Sequence, residues 1–153
     1  MAQAMKQIKA EAGTHLRNQW IDFISNSKGI ATWTIKAIFP NFWSWLERPH
    51  GELNYFVTQF LTSHGEFSPF LFRIRKVESL DCTYCGNKAI DSVEHTLRFC
   101  SKWDRHRVLL LNEFSNDLEL SAIIKRICEN KKSWGVFVTF CTEVLKEKGL
   151  RPP

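Results

Sequence analysis

The sequence predicts a mostly α fold, in which a helical domain carries a small irregular insert near its middle. Apolar residues recur at three- and four-residue spacing along nearly the whole chain, which is the period of an amphipathic helix. Convincing strand-like alternation occurs nowhere. The helical pattern lapses at the start of residues 81–100, which hold three of the five cysteines. We therefore divide the chain into a helical, tryptophan-rich segment at 1–76, the insert at 77–103 and C-terminal helices at 104–153, and expect them to form one compact unit.

The composition is that of an ordinary folded chain, with 44% hydrophobic and 24% charged residues among 153. No apolar run approaches the roughly 18 residues that a membrane span requires, and the N-terminus lacks a secretory-type apolar stretch. We therefore expect an intracellular protein, in the nucleus or cytoplasm, with reduced cysteines. The net charge of +5 indicates a mild preference for anionic partners.

The first predicted helix is long and ends near Ser25–Asn26. It carries one apolar stripe. The stripe consists of Met5, Ile8, Ala12, Leu16, Trp20 and Phe23.

Residues 28–48 are dense in aromatic side chains, and Pro40 divides them into two short helices because proline breaks a helix interior. The tryptophans here could stack on nucleic-acid bases, but core packing is the favoured interpretation.

The next two helices are short. Leu53 to Leu61 form an apolar helical stripe, and we expect Gly65 to end that helix as its C-terminal cap. Ser68-Pro69 then begins another helix, with the proline at the first helical position.

Three helices are predicted after the insert. Their apolar stripes run from Trp103 to Phe114, from Leu120 to Ile127 and from Trp134 to Leu145, with Gly149 closing the last. Cys128 and Cys141 lie on apolar faces of these helices. We interpret both as core residues, not as metal ligands.

Four residues with the side chains of a structural zinc site lie in the insert. Cys82 and Cys85 are followed by His95 and Cys100, in the pattern C-x2-C-x9-H-x4-C. Zinc in structural sites takes four such ligands in a tetrahedron, and Cys3His is a common set. Gly86 lets the chain turn directly after Cys85. The spacing therefore predicts one Zn²⁺ held by these four residues in a CCHC zinc knuckle.

The segment around His95 sets a geometric condition on this site. Asp91 and Glu94 indicate a helix start, and on an ideal helix Cys100 would lie about 140° around the axis from His95. The two side chains can share one ion only if that helix loosens or ends near Phe99.

Two other interpretations of the cysteines stay open. One is buried free thiols beside a surface histidine. The other is a redox pair of Cys82 and Cys85, although no βαβ pattern supports it. A closed four-ligand site leaves no position for catalysis, and the ligand order does not match a zinc deaminase. Because phosphate-binding loops and nucleophile elbows are also missing, we expect no catalytic residues and no enzyme.

Basic residues flank the predicted metal site. Between positions 73 and 107, Lys and Arg outnumber Asp and Glu by three. Such residues can neutralise phosphates, while Tyr84, Phe99 and Trp103 could stack on unpaired bases. The candidate nucleic-acid contacts are Arg73, Arg75, Lys76, Lys102, Arg105 and Arg107. The alternative is a solvated face around a structural metal.

Several motifs occur together between His50 and Cys100. They are His50-Gly51-Glu52-Leu53-Asn54-Tyr55, Thr62-Ser63-His64-Gly65, Phe72-Arg73-Ile74, Asp81-Cys82-x-x-Cys85-Gly86, Glu94-His95-Thr96-Leu97 and Cys100. This combination resembles the C-terminal region of arthropod non-LTR retrotransposon polyproteins, close to the R1 type, where these motifs follow the reverse transcriptase domain. The resemblance covers roughly residues 15–145. Ser63 stands where the family usually has Gly and Ser101 where it has Pro, and neither change removes a ligand.

The resemblance implies that Cys82, Cys85, His95 and Cys100 are the family's zinc-knuckle ligands. It implies a non-catalytic tail that binds element RNA or target DNA in reverse transcription, since this chain contains neither polymerase nor endonuclease sites. The expected partners are single-stranded RNA or DNA and the polymerase core of a parent protein, with no membrane. A structural zinc domain for protein–protein contacts is the alternative function.

Overall fold

The computed structural model describes residues 2–26, 29, 31–86 and 88–149. Helices dominate these residues, which form no strand beyond one isolated antiparallel bridge between Asp81 and Ile90. The prediction of a mostly helical fold is therefore confirmed. The α-helices, in chain order, are α1 (Ala2–Asn26), α2 (Thr32–Ile38), α3 (Phe42–Glu47), α4 (Tyr55–Thr62), α5 (Ser68–Arg73), α6 (Asp104–Phe114), α7 (Leu120–Glu129) and α8 (Lys131–Gly149).

Local sequence signals explain where the short helices begin. Pro40 lies in a 3₁₀ turn, Phe39–Asn41, which separates α2 from α3 as predicted. Asn54 caps α4, because its side-chain oxygen accepts a hydrogen bond from the Val57 backbone N–H at 2.9 Å. Pro69 lies in the first turn of α5, where a missing N–H costs no helical hydrogen bond.

The C-terminal helix α8 is the centre of the fold and packs against α4, α6 and α7. Phe60 of α4 is fully buried and meets Phe67, Phe137 and Phe140 edge-on, with ring centroids 5.2, 6.2 and 5.8 Å away. Aromatic pairs prefer this arrangement to face-to-face stacking. The core also takes in the insert. Its members there are Cys82, Val93, Leu97, Cys100 and Trp103.

The interpretation of the tryptophans in residues 28–48 as packing residues is confirmed for Trp33 and Trp45 but not for Trp43. Trp45 is buried, as are Trp103 and Trp134 elsewhere in the chain. Trp33 is half-buried and donates its indole N–H to the Phe60 carbonyl oxygen at 2.9 Å. Trp20 and Trp43 are exposed instead.

Helix α1 ends at Asn26, as predicted, but its apolar stripe is not buried. Its exposed members are Met5, Ile8, Leu16, Trp20 and Phe23, with exposed fractions from 53 to 68%. A different face of α1 meets the rest of the chain, where Arg17 pairs with Glu47 at 2.6 Å and lies over the ring of Trp43. Periodicity thus identified an apolar face correctly, but it carries no information on what covers that face.

The end of α4 differs from the sequence prediction. The left-handed residue after the helix is Ser63, with φ of 57°, and not Gly65. Gly65 also has a positive φ, of 79°, and a side chain is excluded there because a Cβ would lie 1.6 Å from Oε1 of the buried Gln59. That oxygen accepts a hydrogen bond from the Glu66 backbone N–H at 3.0 Å. Gly65 therefore allows Gln59 to support the turn between α4 and α5.

We expect Gly65→Ala to lower the free energy of unfolding by about 2 kcal/mol or more, because backbone strain adds to the displacement of a buried amide. Chemical denaturation measures this loss. Gly29→Ala is the matched control, since Gly29 has the same φ of 79° and, among the described residues beyond its chain neighbours, no atom lies within 4 Å of the position that its Cβ would take. Equal losses in the two variants would show that the contact with Gln59 contributes nothing.

Candidate metal centre

The fold brings the four predicted ligands together. The ligand atoms of Cys82, Cys85, His95 and Cys100 all lie within 4.8 Å of one another. The Sγ atoms of Cys82 and Cys100 are 3.7 Å apart, and Cys85 Sγ lies 3.3 Å from His95 Nε2. Two sulfurs bound to one tetrahedral zinc at about 2.3 Å would be separated by about 3.8 Å. The cluster is therefore compatible with a four-coordinate metal ion.

A short hairpin-like loop positions the first two ligands. Cys82 N–H donates to the Ala89 carbonyl at 2.6 Å, and Asp91 N–H donates to the Leu80 carbonyl at 2.9 Å. These bonds close the base of the loop on either side of the isolated bridge. Gly86 has a φ of 68°, which glycine adopts without steric cost, so the chain turns directly after Cys85 as predicted.

A π-helical turn satisfies the condition on the second pair of ligands. The helix that starts at Val93 widens between His95 and Phe99. The Cys100 N–H closes this turn by donating to the His95 carbonyl at 2.8 Å. A hydrogen bond from residue i+5 to residue i brings Cys100 over His95. Cys100 then leaves the helix with extended ψ of 115°, so both side chains reach the same point.

Arg107 of α6 holds this π-helical turn in place. Its guanidinium donates to the carbonyl oxygens of Leu97 at 2.8 Å, Thr96 at 3.1 Å and Cys100 at 2.8 Å, and it also pairs with Asp104. Only 5% of Arg107 is exposed. The expectation that Arg107 contacts nucleic acid is therefore corrected, because its donors are used inside the protein.

Burial sets the ionisation of the ligands. It raises the pKa of Cys82, and it raises the pKa of Cys100 to about 12. Burial also lowers the pKa of His95, an effect that Asp91 opposes and that Lys148 and Arg107 reinforce. The lowered pKa favours the neutral imidazole, which is the form that binds metals. The raised pKa values favour neutral thiols at Cys82 and Cys100, and metal binding would release their protons.

These positions bear on both alternative interpretations of the cysteines. His95 is only 7% exposed, so the first interpretation is wrong in placing the histidine at the surface. Residues 83–86 form a turn, and no helix begins at Cys85. Low-pKa redox cysteines typically use a helix N-terminus or a neighbouring cation. Cys128 and Cys141 are buried in the core, as predicted.

The other five predicted nucleic-acid contacts are exposed to solvent. The exposed members are Arg73, Arg75, Lys76 and Arg105. Lys102 is exposed as well, but its ammonium pairs with Glu147 of α8 at 3.2 Å. The structure thus leaves five of the six cations at the surface.

The three aromatic residues of the insert have different environments. Trp103 is fully buried, and Tyr84 packs against it with ring centroids 5.3 Å apart. Phe99 is 59% exposed, and the guanidinium of Arg98 lies 4.9 Å from its ring centroid. Of these three side chains, Phe99 is therefore the one that can offer a ring face to a ligand.

Comparison with protein-family models finds no family that matches the chain, and comparisons with curated proteins and with solved structures find no match either. Within the described residues, no helix combines the length and the apolar character needed to cross a bilayer. A functional assignment therefore depends on the geometry of the metal centre and on the motifs around it.

Proposed function

We propose that this chain is a non-catalytic, zinc-holding module that binds single-stranded RNA or DNA as the tail of a non-LTR retrotransposon reverse transcriptase. The observation that carries the proposal is the convergence of three thiols and one imidazole within 4.8 Å. Sulfur ligands favour Zn²⁺ over Mg²⁺ or Ca²⁺, which prefer oxygen. Because four protein ligands fill a tetrahedron, no position remains for a catalytic water, and the zinc is structural.

The motifs behind the retrotransposon resemblance have specific places in the scaffold. Asn54 caps α4, and Gly65 makes room for Gln59. Gly51, with φ of 87°, lies so close to the Trp134 ring that a Cβ would come within 2.5 Å of it. These motif residues belong to the helical body that carries residues 81–100, the segment with the four proposed ligands, which we call the metal loop. Their combination with the CCHC set supports the same type of module.

Exposed charges and one exposed ring support the nucleic-acid part of the proposal. Phosphates would be neutralised by the surface cations on both sides of the metal loop. These are Arg73, Arg75, Lys76, Lys102 and Arg105. Phe99 lies in the π-helical turn directly before the ligand Cys100, so the metal would fix the position of a ring on which a base can stack.

A salt series tests this proposal. The affinity of the zinc-loaded chain for fluorescent single-stranded RNA and DNA is measured from about 50 to 200 mM salt, with and without chelator. We expect the affinity to fall steeply with salt, because each neutralised phosphate releases counterions. At each salt concentration, removal of zinc by the chelator should weaken the affinity for nucleic acid. Absence of binding at low salt with zinc loaded would contradict the nucleic-acid part and leave the metal centre unaffected.

Charge reversal locates the binding surface. One variant combines Arg73→Glu, Arg75→Glu, Lys102→Glu and Arg105→Glu. Its control combines Lys6→Glu, Lys9→Glu, Lys125→Glu and Lys131→Glu, all at exposed positions outside residues 73–107. Both variants change the net charge equally, so a difference between them reports the position of the charges. We expect the first variant to lose binding and the control to lose much less. Equal losses would indicate a response to net charge alone.

Phe99→Ala tests base stacking separately from charge. We expect the affinity for single strands to fall by about 1–3 kcal/mol, which is the usual worth of one stacked base. Phe23→Ala removes a similarly exposed ring from α1 and serves as the control. An unchanged affinity of Phe99→Ala would remove the ring from the proposed contact surface.

The exposed stripe of α1 favours a second candidate function, a structural zinc domain for protein–protein contacts. This function does not need the cations around the metal loop, so the first charge-reversal variant should retain it. Ile8→Glu with Trp20→Glu would instead disrupt the stripe. Sedimentation of these variants distinguishes self-association through α1 from nucleic-acid binding, which they should leave intact.

A further inference from the structure

A lysine near the end of α8 is buried against the metal loop. Lys148 has no exposed surface, and its ammonium pairs with Asp91, which is 1% exposed. The ammonium also lies 4.7 Å from the ring centroid of Tyr84, 5.1 Å from that of Phe67 and 5.8 Å from that of Trp103. Aromatic faces attract a cation most strongly when it is removed from water, as it is here.

The partners of Lys148 belong to both halves of the ligand set. Tyr84 lies between Cys82 and Cys85 and donates its hydroxyl hydrogen to the Lys148 carbonyl oxygen at 3.3 Å. Asp91 lies between Cys85 and His95. The last turn of α8 therefore contacts the loop that carries the first two ligands and the segment that leads to the third.

Charge balance gives this contact a further consequence. A Zn²⁺ ion with three thiolates and a neutral imidazole carries one net negative charge. Asp91 beside the ligand set would add a second buried negative charge, and the Lys148 ammonium that pairs with it neutralises that charge. A cation paired with Asp91 therefore favours the metal-loaded state over the empty one, because the loaded state has the extra negative charge.

We infer that Lys148 is a positioning residue for the metal centre, and that zinc binding and the docking of the last turn of α8 stabilise each other. The inference rests on the proposed zinc site and adds a residue and a coupled element to it. Coupling of this kind is reciprocal, since the factor by which docking of α8 raises zinc affinity equals the factor by which zinc favours docking. Loss of the metal should then loosen the last turn of α8 as well as the metal loop.

The first test measures zinc affinity by competition with a chromogenic chelator. We expect Lys148→Met to bind zinc about 10- to 100-fold more weakly than the wild type, the usual loss when a residue that supports metal ligands is removed. Lys146→Met is the control, because Lys146 is exposed on the same turn of α8. Wild-type zinc affinity in Lys148→Met would overturn the inference.

The second test needs no variant and so does not depend on the folding of Lys148→Met. Amide hydrogen exchange of the wild-type chain is compared before and after zinc is removed by chelator. We expect faster exchange in residues 81–100 and also in residues 144–149, while α7 stays protected. Loosening of 81–100 alone would overturn the coupling. A wild-type chain that takes up no zinc would overturn the proposed metal centre itself, which separates the two failures.

Discussion

Cys100→Ser should abolish zinc retention, whereas the wild-type chain should be purified without chelator with one zinc per molecule. Cys100 is fully buried and its sulfur lies 3.7 Å from that of Cys82. A serine hydroxyl is a poor zinc ligand, so the variant would keep three ligands and lose most of the binding free energy. Structural zinc is worth on the order of 10–16 kcal/mol in small modules. Elemental analysis of the two purified proteins measures the difference.

Cys128→Ser is the matched control for this result. Cys128 is also buried, at 6% exposure, but it lies on α7 away from the ligand cluster. We expect it to retain one zinc and to lose a little stability, because the hydroxyl is more polar than the thiol it replaces. Equal zinc contents in Cys100→Ser and Cys128→Ser would contradict the assignment of Cys100 as a ligand.

Arg107→Met should cause the second large effect. The substitution leaves the carbonyl oxygens of Thr96, Leu97 and Cys100 without their buried donor. Each unsatisfied buried group costs about 1–3 kcal/mol, so we expect the free energy of unfolding to fall by about 3 kcal/mol or more. Because those carbonyls belong to the π-helical turn, zinc affinity should also fall by about 10- to 100-fold.

Arg105→Met separates this effect from the loss of a positive charge. Arg105 is exposed on the same helix, two residues away, and surface substitutions usually change stability by no more than about 0.5 kcal/mol. Chemical denaturation and zinc competition are run on both variants. If Arg107→Met behaved like Arg105→Met in both assays, the role of Arg107 in supporting the turn would be refuted.

The Cys3His cluster and most helices could be predicted from the sequence because their signals are local. Two cysteines separated by two residues share a tight turn, and Gly86 permits that turn at positive φ. The break at Pro40 follows from its missing N–H. The conflict between His95 and Cys100 on an ideal helix was also visible in the sequence. Its solution by a π-helical turn was not, because that turn depends on the donors that Arg107 supplies from α6.

The two buried cations were missed although the sequence contained a signal for each. Arg107 falls in the helical register of Trp103, Leu110 and Phe114. Lys148 likewise continues the register of α8. That register runs through Trp134, Phe137, Cys141, Val144 and Lys148. A charged residue on an apolar stripe is buried only with a partner. The partners here, the carbonyls around the π-helical turn and Asp91, lie outside the helices α6 and α8 and are set by the tertiary fold.

The stripe of α1 shows the opposite limit. The helical periodicity correctly predicts which face of α8 is buried, and it predicts an apolar face on α1 in the same way. In the described part of the chain, however, the apolar face of α1 is largely exposed. A hydrophobic period reports the preference of a helix face. Whether the chain covers that face depends on the tertiary arrangement, which a local pattern does not encode.

X-ray absorption at the zinc edge of the reconstituted chain tests the metal centre most directly. Coordination by Cys82, Cys85, Cys100 and His95 predicts three sulfur atoms at about 2.3 Å and one nitrogen at about 2.0–2.1 Å from the ion. A first shell made only of nitrogen and oxygen, or a chain that takes up no zinc, would contradict the account.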